Sequence, residues 1–496
     1  MRRLARPLLL AVLAGSSWLA LGWFRPFDPD PWLEDLAALE AGAAAGFANL
    51  EWHVEHGVDP VALHRRADSA IRHARSDRAA RAALREFAAG FRDGHFSVSR
   101  PMPGWLRALE DRWRGRQEAP PLASMSGTAA CAAMGYEDDP GDASLLADRP
   151  GYRALAPAPF PAGVLVQEGG PTIGVLRIAT LGVDRFQPQC ARAWQALRDS
   201  LARPSCDDSC QSAIRVATGD ALLADVRRAL RTLRDAGATS LVVDLTGNGG
   251  GTEWVDPLAR QFTSRTLEAA RVGFPRHPHW TRALEQEVGA VDSILAAPGT
   301  VPALRPLLQA SRARLDSLLA ETRRPCDRSR LWTEGPAAVP CRQLVSGGTY
   351  TSGALPSLDA TGRAIPGAAA LFWPALNTYE EGAWDGPLLL LVDGESASAS
   401  EQFVAMLRDA GAATVVGSRT LGAGCGMTNG GIPLTLPNSG LVVRMPDCAR
   451  LRRDGANEVA GIAADVEAGW SDEDDEALRA EKAEAAVRRA LAQAGQ

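Results

Sequence analysis

Residues 388–411 read LLLLVDGESASASEQFVAMLRDAG. Leu388 to Val392 is an unbroken apolar run, as expected of a strand buried on both faces. Small residues make a turn after it, and a helix follows from Ser398 to Ala410. A further strand, Ala413 to Val416, comes at once. Strand, turn, helix and strand in this order specify an α/β layer with a parallel sheet. Ser396, Ser398 and Ser400 crowd the turn. Helix capping is the ordinary use of serine there. The unpaired N–H groups of a helix start also stabilise developing negative charge, which suits a nucleophile.

Upstream the same pattern recurs. Ile173 to Ile178 reads as a strand, and Asp220 to Ala236 as an amphipathic helix with Leu222, Val226, Leu230 and Leu233 on one face. Ser240 to Leu245 is a second doubly buried strand, closed by the turn DLTGNGGG at residues 244–251. Glycines at a strand end let the backbone approach a ligand closely. Their N–H groups can form an oxyanion hole, and no GK[ST] or GxGxxG follows to favour a nucleotide. Residues 253–345 are charged and helical in pattern without a sheet signal, and read as an insertion. Leu434 to Leu436 and Leu441 to Met445 flank a Pro-Asn-Ser-Gly turn and read as a hairpin.

The rest of the chain sets the context. It has 496 residues, 46% apolar and 23% charged, with a net charge of -6. That balance offers no basic footprint for nucleic acid. Residues 1–25 open with Arg2, Arg3 and Arg6, followed by an apolar stretch, the pattern of a signal peptide or a retained signal anchor. The body is therefore expected to be periplasmic or secreted, and tied to the inner membrane if the signal is kept. Eight cysteines suit such a compartment. Closeness pairs Cys206 with Cys210, Cys326 with Cys341 and Cys425 with Cys448, which leaves Cys131 with Cys190. No CxxC is present and no histidine lies near a cysteine, so neither a metal nor another cofactor is expected. Lys482 is the single lysine.

DLTGNGGG, SASASE, GAATVVGSRTLGAG and GIAADVE, in that order, resemble the tail-specific (carboxyl-terminal processing) serine proteases, with the tricorn core and the interphotoreceptor retinoid-binding modules as relatives. The resemblance implies a crotonase-like (ClpP-type) α/β core over 166–475, interrupted at about 253–345. A helical domain at 30–100 precedes it, a linker or loop region at 101–165 joins the two, and a helix at 476–496 ends the chain. The peptide-binding PDZ domain that often sits in the joining region is expected to be missing or reduced.

By the same resemblance Ser398 is the nucleophile, and Ala399 and Gly250, with Gly249 as the alternative, form the oxyanion hole. Thr246 stands where the family has arginine. Ala423 stands where the Ser-Lys members carry their lysine base. His95, in Asp93-Gly94-His95, matches the histidine of tricorn-like members, and a histidine's ordinary pKa of about 6.5 suits proton transfer near neutrality. Glu458 takes the place of an acidic residue that orients the imidazole, with Asp93 as its rival. His53, His56, His64 and His73 lie among charges and read as solvated surface. The implied activity is a serine endopeptidase acting on proteins or peptides through an acyl-enzyme. The alternative is an inactive ligand- or peptide-binding member of the same fold.

Overall fold

The computed structural model describes residues 27–100, 124–166, 170–199, 206–251, 254–300 and 302–494. The expected signal segment and residues 101–123 of the expected linker lie outside them. Among the described residues no helix is long and apolar enough to cross a membrane.

The two apolar runs form the centre of a seven-stranded sheet. Strands β5 (Ser240–Asp244) and β8 (Leu388–Val392) lie side by side and parallel, with Leu241 opposite Leu388. On either side of this pair the sheet runs through β4 (Ile173–Arg177), β3 (Ala162–Leu165) and β2 (Tyr152–Ala156), and through β9 (Thr414–Gly417) and β13 (Val466–Glu467). Strands β4, β5, β8, β9 and β13 are parallel, whereas β2, β3 and β4 form an antiparallel edge. Successive side chains on a strand point to opposite faces. Leu241, Val243, Leu388 and Leu390 therefore pack under helices α7 (Asp208–Asp235) and α11 (Ala399–Asp409). Val242, Leu389 and Leu391 face the alanine-rich side of α12 (Glu476–Ala494).

Two further layers flank the sheet. Helices α1 (Asp30–Gly46), α2 (Leu50–Glu55), α3 (Pro60–Arg72) and α4 (Asp77–Ala89) share one apolar core. Asp59 and Ser76 cap α3 and α4. That core also takes in the hairpin of β10 (Leu434–Thr435) and β11 (Val442–Arg444), and β1 (Ser97–Ser99) pairs with β11. The helical layer is thereby fastened to the chain downstream of the turn that holds Ser398. The other layer packs α9 (Pro278–Ala296) against α10 (Arg305–Thr322).

The structure departs from the sequence expectation in two stretches. Residues 124–165 are not loop: they hold helix α5 (Gly127–Ala133) and strands β2 and β3, so the sheet begins before residue 166. The insertion is not free of strands either. β6 (Arg271–Pro275) pairs with β7 (Leu344–Val345) and with β12 (Ala449–Leu451). Both omissions concern short strands whose partners supply most of the stabilisation, so little local periodicity marks them.

All four disulfides follow the expected pairing: Cys131–Cys190 links α5 to α6 (Gln187–Leu197), and Cys206–Cys210, Cys326–Cys341 and Cys425–Cys448 close shorter loops.

The C-terminal end of β5 is held by Asp244, which is fully buried. One carboxyl oxygen accepts from Ser144 Oγ at 2.7 Å and Leu145 N at 2.9 Å. The other accepts from Thr246 N at 3.0 Å, Thr246 Oγ1 at 2.7 Å and Arg177 Nη1 at 3.2 Å. Arg177, on β4, also donates to the Thr246 carbonyl at 2.7 Å, so a neighbouring strand brings a guanidinium to the turn that lacks its own arginine. Removing one partner of a buried ion pair leaves the other unpaired. Asp244→Ala is expected to lower unfolding stability by about 3–5 kcal/mol, read by chemical denaturation; a loss below about 1 kcal/mol would refute the bracing role.

Candidate active site

Because β5 and β8 are neighbours, the turns that leave their C-terminal ends lie together, the usual place for a site in an open α/β sheet. Side chains of one turn tie down the other. Asp393 Oδ1 accepts from Gly247 N at 2.9 Å, and Ser396 Oγ donates to the Leu245 carbonyl at 2.8 Å. Ser400 Oγ donates to the Asn248 carbonyl at 2.8 Å. Ser396 and Ser400 are fully buried in these duties. Ser398 is different: it is half-buried and lines an open cleft of about 680 Å³. Its backbone is left-handed, φ 55° and ψ −111°, a conformation that costs a non-glycine residue about 1–3 kcal/mol and persists only where its surroundings impose it.

One constraint comes from the glycine turn. Gly250 has φ 103°, and a Cβ there would stand 2.8 Å from the Ala397 carbonyl oxygen and 2.9 Å from both Ala399 N and Ser398 Cβ. Only glycine permits this approach. The Gly250 N–H donates to Asn248 Oδ1 at 2.9 Å, and Asn248 Nδ2 donates to the Ile178 carbonyl at 2.8 Å. Gly251, next along, lies in the cleft wall. The Ala399 N–H is in the first turn of α11, where helix geometry provides no acceptor, and Ala399 lines the same cleft.

The stronger constraint is Glu401, at the third position of α11 and fully buried. Oε2 accepts from Ser398 N at 2.9 Å, Ala423 N at 3.0 Å and Gly424 N at 3.1 Å. Oε1 accepts from Gly422 N at 2.7 Å and Thr420 Oγ1 at 2.6 Å. Five donors on one carboxyl bind the serine's backbone to the loop 420–424. Sequence reading took Glu401 only as part of a motif. Its signal was there, since Ser-x-x-Glu at a helix start is a capping box.

His95 reaches the cleft from the helical layer. Its N–H is held by Asp93 Oδ1 at 2.9 Å. Its ring Nδ1 lies 3.0 Å from the Ala423 carbonyl oxygen. A carbonyl can only accept, so Nδ1 carries the proton and Nε2 presents a lone pair. A Cβ on Gly426 would come within 3.3 Å of Nε2, so that glycine leaves room beside the ring. His95 and Ser398 line the same cleft, with no hydrogen bond between them. Asp93 does not touch the ring; its other oxygen accepts from Asn49 Nδ2 at 3.1 Å and meets His53 Nε2 at 3.3 Å. His53 is therefore buried, not solvated as its charged neighbours suggested.

Glu458 is also buried, but its partner is Arg450 Nε and not the imidazole of His95. The expected orienting contact is absent from the structure, because the Ala423 carbonyl occupies Nδ1. Arg450 Nη2 donates to the Ser398 carbonyl at 2.7 Å and the Gly424 carbonyl at 3.1 Å, and Nη1 to Gln402 Oε1 at 3.1 Å. Glu458 thus acts on the site through Arg450. Burial pushes its carboxyl up to about 7, against the pull of the Arg450 guanidinium. Lys482 pairs with Asp474 at 2.6 Å and is not among the residues lining the cleft.

Set beside known proteins, the fold is that of a hydrolase of the serine-peptidase class. The chain belongs to peptidase family S41, the tail-specific proteases: the family model matches residues 214–468, about half of the chain. That span includes Ser398, the glycine turn and Glu458 but not His95. The structure is similar to mature CPAF complexed with lactacystin, at 14% identity over 94% of this chain and 98% of that one, with a TM-score of 0.59. Mature CPAF alone gives 14% identity, 94% and 97% coverage and a TM-score of 0.57. At such identity the likeness speaks for the fold alone. Comparison with curated proteins finds no match.

Two outcomes follow from these buried carboxyls. Glu401→Gln keeps the shape but turns one accepting oxygen into a donor facing N–H groups; kcat/KM should fall by about 10²-fold or more, as for a small misplacement of reacting groups. Activity within threefold of the parent would exclude the hub role. For Glu458 the folded pKa, about 7, exceeds the ordinary 4.5. The folded state therefore binds more protons between these values, and this contribution to stability is full below pH 4.5 and lost as pH rises through 7. Its size is about 3 kcal/mol. Denaturant unfolding of Glu458→Gln across pH 4–8 should show a flatter profile than the parent; identical slopes would count against it.

Proposed function

We propose that this chain is a serine endopeptidase in which Ser398 is the nucleophile and His95 the general base. The observation that carries the reading is the Ala423 carbonyl on His95 Nδ1. It leaves Nε2 as the acceptor in the cleft that Ser398 lines. In the reaction, Nε2 takes the Ser398 hydroxyl proton as Oγ attacks the scissile carbonyl. The oxyanion meets the Ala399 N–H and an amide of the glycine turn. Gly250 serves there once its amide turns from Asn248, or Gly251 serves beside it. The imidazolium returns its proton to the leaving amine, and water, activated by the same nitrogen, releases the acyl group. Arg450 and Glu458 hold the serine's backbone in its left-handed form. The basic n-region, the apolar stretch after it and four disulfides support an exported location.

A binding protein that has lost catalysis is the second reading. Ala423 in place of lysine and the separation of His95 from Ser398 favour it. Fluorophosphonate labelling separates the two. Ser398→Ala should lose all labelling, whereas Ser396→Ala and Ser400→Ala should keep some. His95→Ala should lower turnover by roughly 10²–10⁴-fold, while Lys482→Ala is nearly silent. An unlabelled parent protein would support the binding reading, and loss of turnover in Lys482→Ala would overturn the Ser–His assignment.

A further inference from the structure

We propose that Glu287 is a specificity residue that recognises a basic side chain, arginine or lysine, of the peptide substrate close to the scissile bond. The proposal rests on the cleft beside Ser398 being the peptide-binding site. Glu287 projects from α9 and lines that cleft together with Ser398 and His95. The residue is half-buried as a whole, but its Oε2 is fully buried and has no hydrogen-bond partner among the described residues. Its other contact is Thr349, whose hydroxyl already donates to the Gly353 carbonyl at 2.6 Å.

The remaining charged groups of the cleft wall are committed elsewhere. Asp256, on α8 (Val255–Arg260), pairs with Arg260 at 2.7 Å, and Arg450 pairs with Glu458. Other charged groups around α9 have partners of their own, while Arg282 on α9 is exposed. Arg312 pairs with Asp292 and Asp316, Glu321 with Arg276 and Arg324, and Glu285 with Arg323. Arg314 bonds the Tyr350 hydroxyl, and His279 meets Asp447. Glu287 is thus the acid of the lining that has no cation, among the described residues. A desolvated carboxyl without a counter-charge is costly in its ionised form, and burial pushes this one up to about 7. A guanidinium or ammonium brought by the substrate removes that cost. The wall around it suits the rest of such a side chain. Trp280 and Trp373 line the same cleft, and Trp373 is 38% exposed. Trp280 is buried and stacked on Phe274, so the exposed face of Trp373 is the one that can receive the aliphatic stem and the cation of arginine or lysine.

The test uses an alanine-rich nonapeptide in which one position at a time carries Arg, Gln or Glu. Binding to the Ser398→Ala protein is read by fluorescence anisotropy, and kcat/KM is read on the parent enzyme. At one position Arg should exceed Gln by about 10–100-fold, as for a desolvated charge pair, with Glu weakest. In Glu287→Gln the Arg:Gln ratio should fall to near one. An Arg:Gln ratio near one at every position of the parent protein, or a ratio that survives in Glu287→Gln, overturns the proposal. The parent ratio alone decides if the variant misfolds. Binding to Ser398→Ala does not depend on which residue is the nucleophile. Failure of labelling at Ser398 with the ratio intact would therefore remove the catalytic assignment and leave this one standing.

Discussion

The site depends on one buried carboxylate placed three residues after the serine at the head of a helix. Glu401 receives five donors, one from the serine's own backbone and four from the loop 420–424. The Leu421 N–H adds a bond to the Ser396 carbonyl at 3.0 Å, so the serine turn and that loop are joined by backbone as well. The loop in turn presents the Ala423 carbonyl to His95. A single acceptor therefore fixes the serine's left-handed backbone and, through one peptide unit, the ring that faces the cleft. The N-terminus of α11 adds a favourable dipole at the same place. Arg450 grips the opposite side of the serine by its carbonyl, so the strained residue is restrained at both N–H and C=O.

Three structural layers meet at the cleft, and each brings a different part. The sheet brings the serine and the glycine turn. The helical layer brings His95, steadied by Asp93 and by the pairing of β1 with β11. The stretch between β5 and β8 brings α9 and the wall that carries Glu287. In the proposed roles, this division places the reacting groups on turns braced by the sheet and the helical layer, and the recognition of substrate on a separate stretch of chain.

Much of this was legible in the residues, for physical reasons that also explain the gaps. Ser240 to Leu245 and Leu388 to Val392 announce themselves because burial on both faces demands an unbroken apolar run. Gly250 was singled out by resemblance, with Gly249 as its alternative, and its positive φ and crowding are seen only in the structure. β3 was not legible, because Ala162-Gly163-Val164-Leu165 is short and gains its identity from β2 and β4. Glu458 was expected to orient the His95 ring, but the structure pairs it with Arg450. Arg450 lies eight residues earlier on a separate strand, and no helical or strand period relates the two. His53 was misjudged because surface charges flank it in sequence, while its own ring turns inward to Asp93.

The disulfides have one consequence for how the molecule is made. The four bonds close stretches that follow one another along the chain without overlapping: 131–190, 206–210, 326–341 and 425–448. A chain oxidised progressively as it emerges, from either end, would meet each cysteine's native partner as the next thiol to appear. Joining neighbours in order of arrival yields the native set. An oxidant carrying a disulfide, itself reduced to a dithiol as each bond forms, is then sufficient in principle, and no shuffling of interleaved bonds is required.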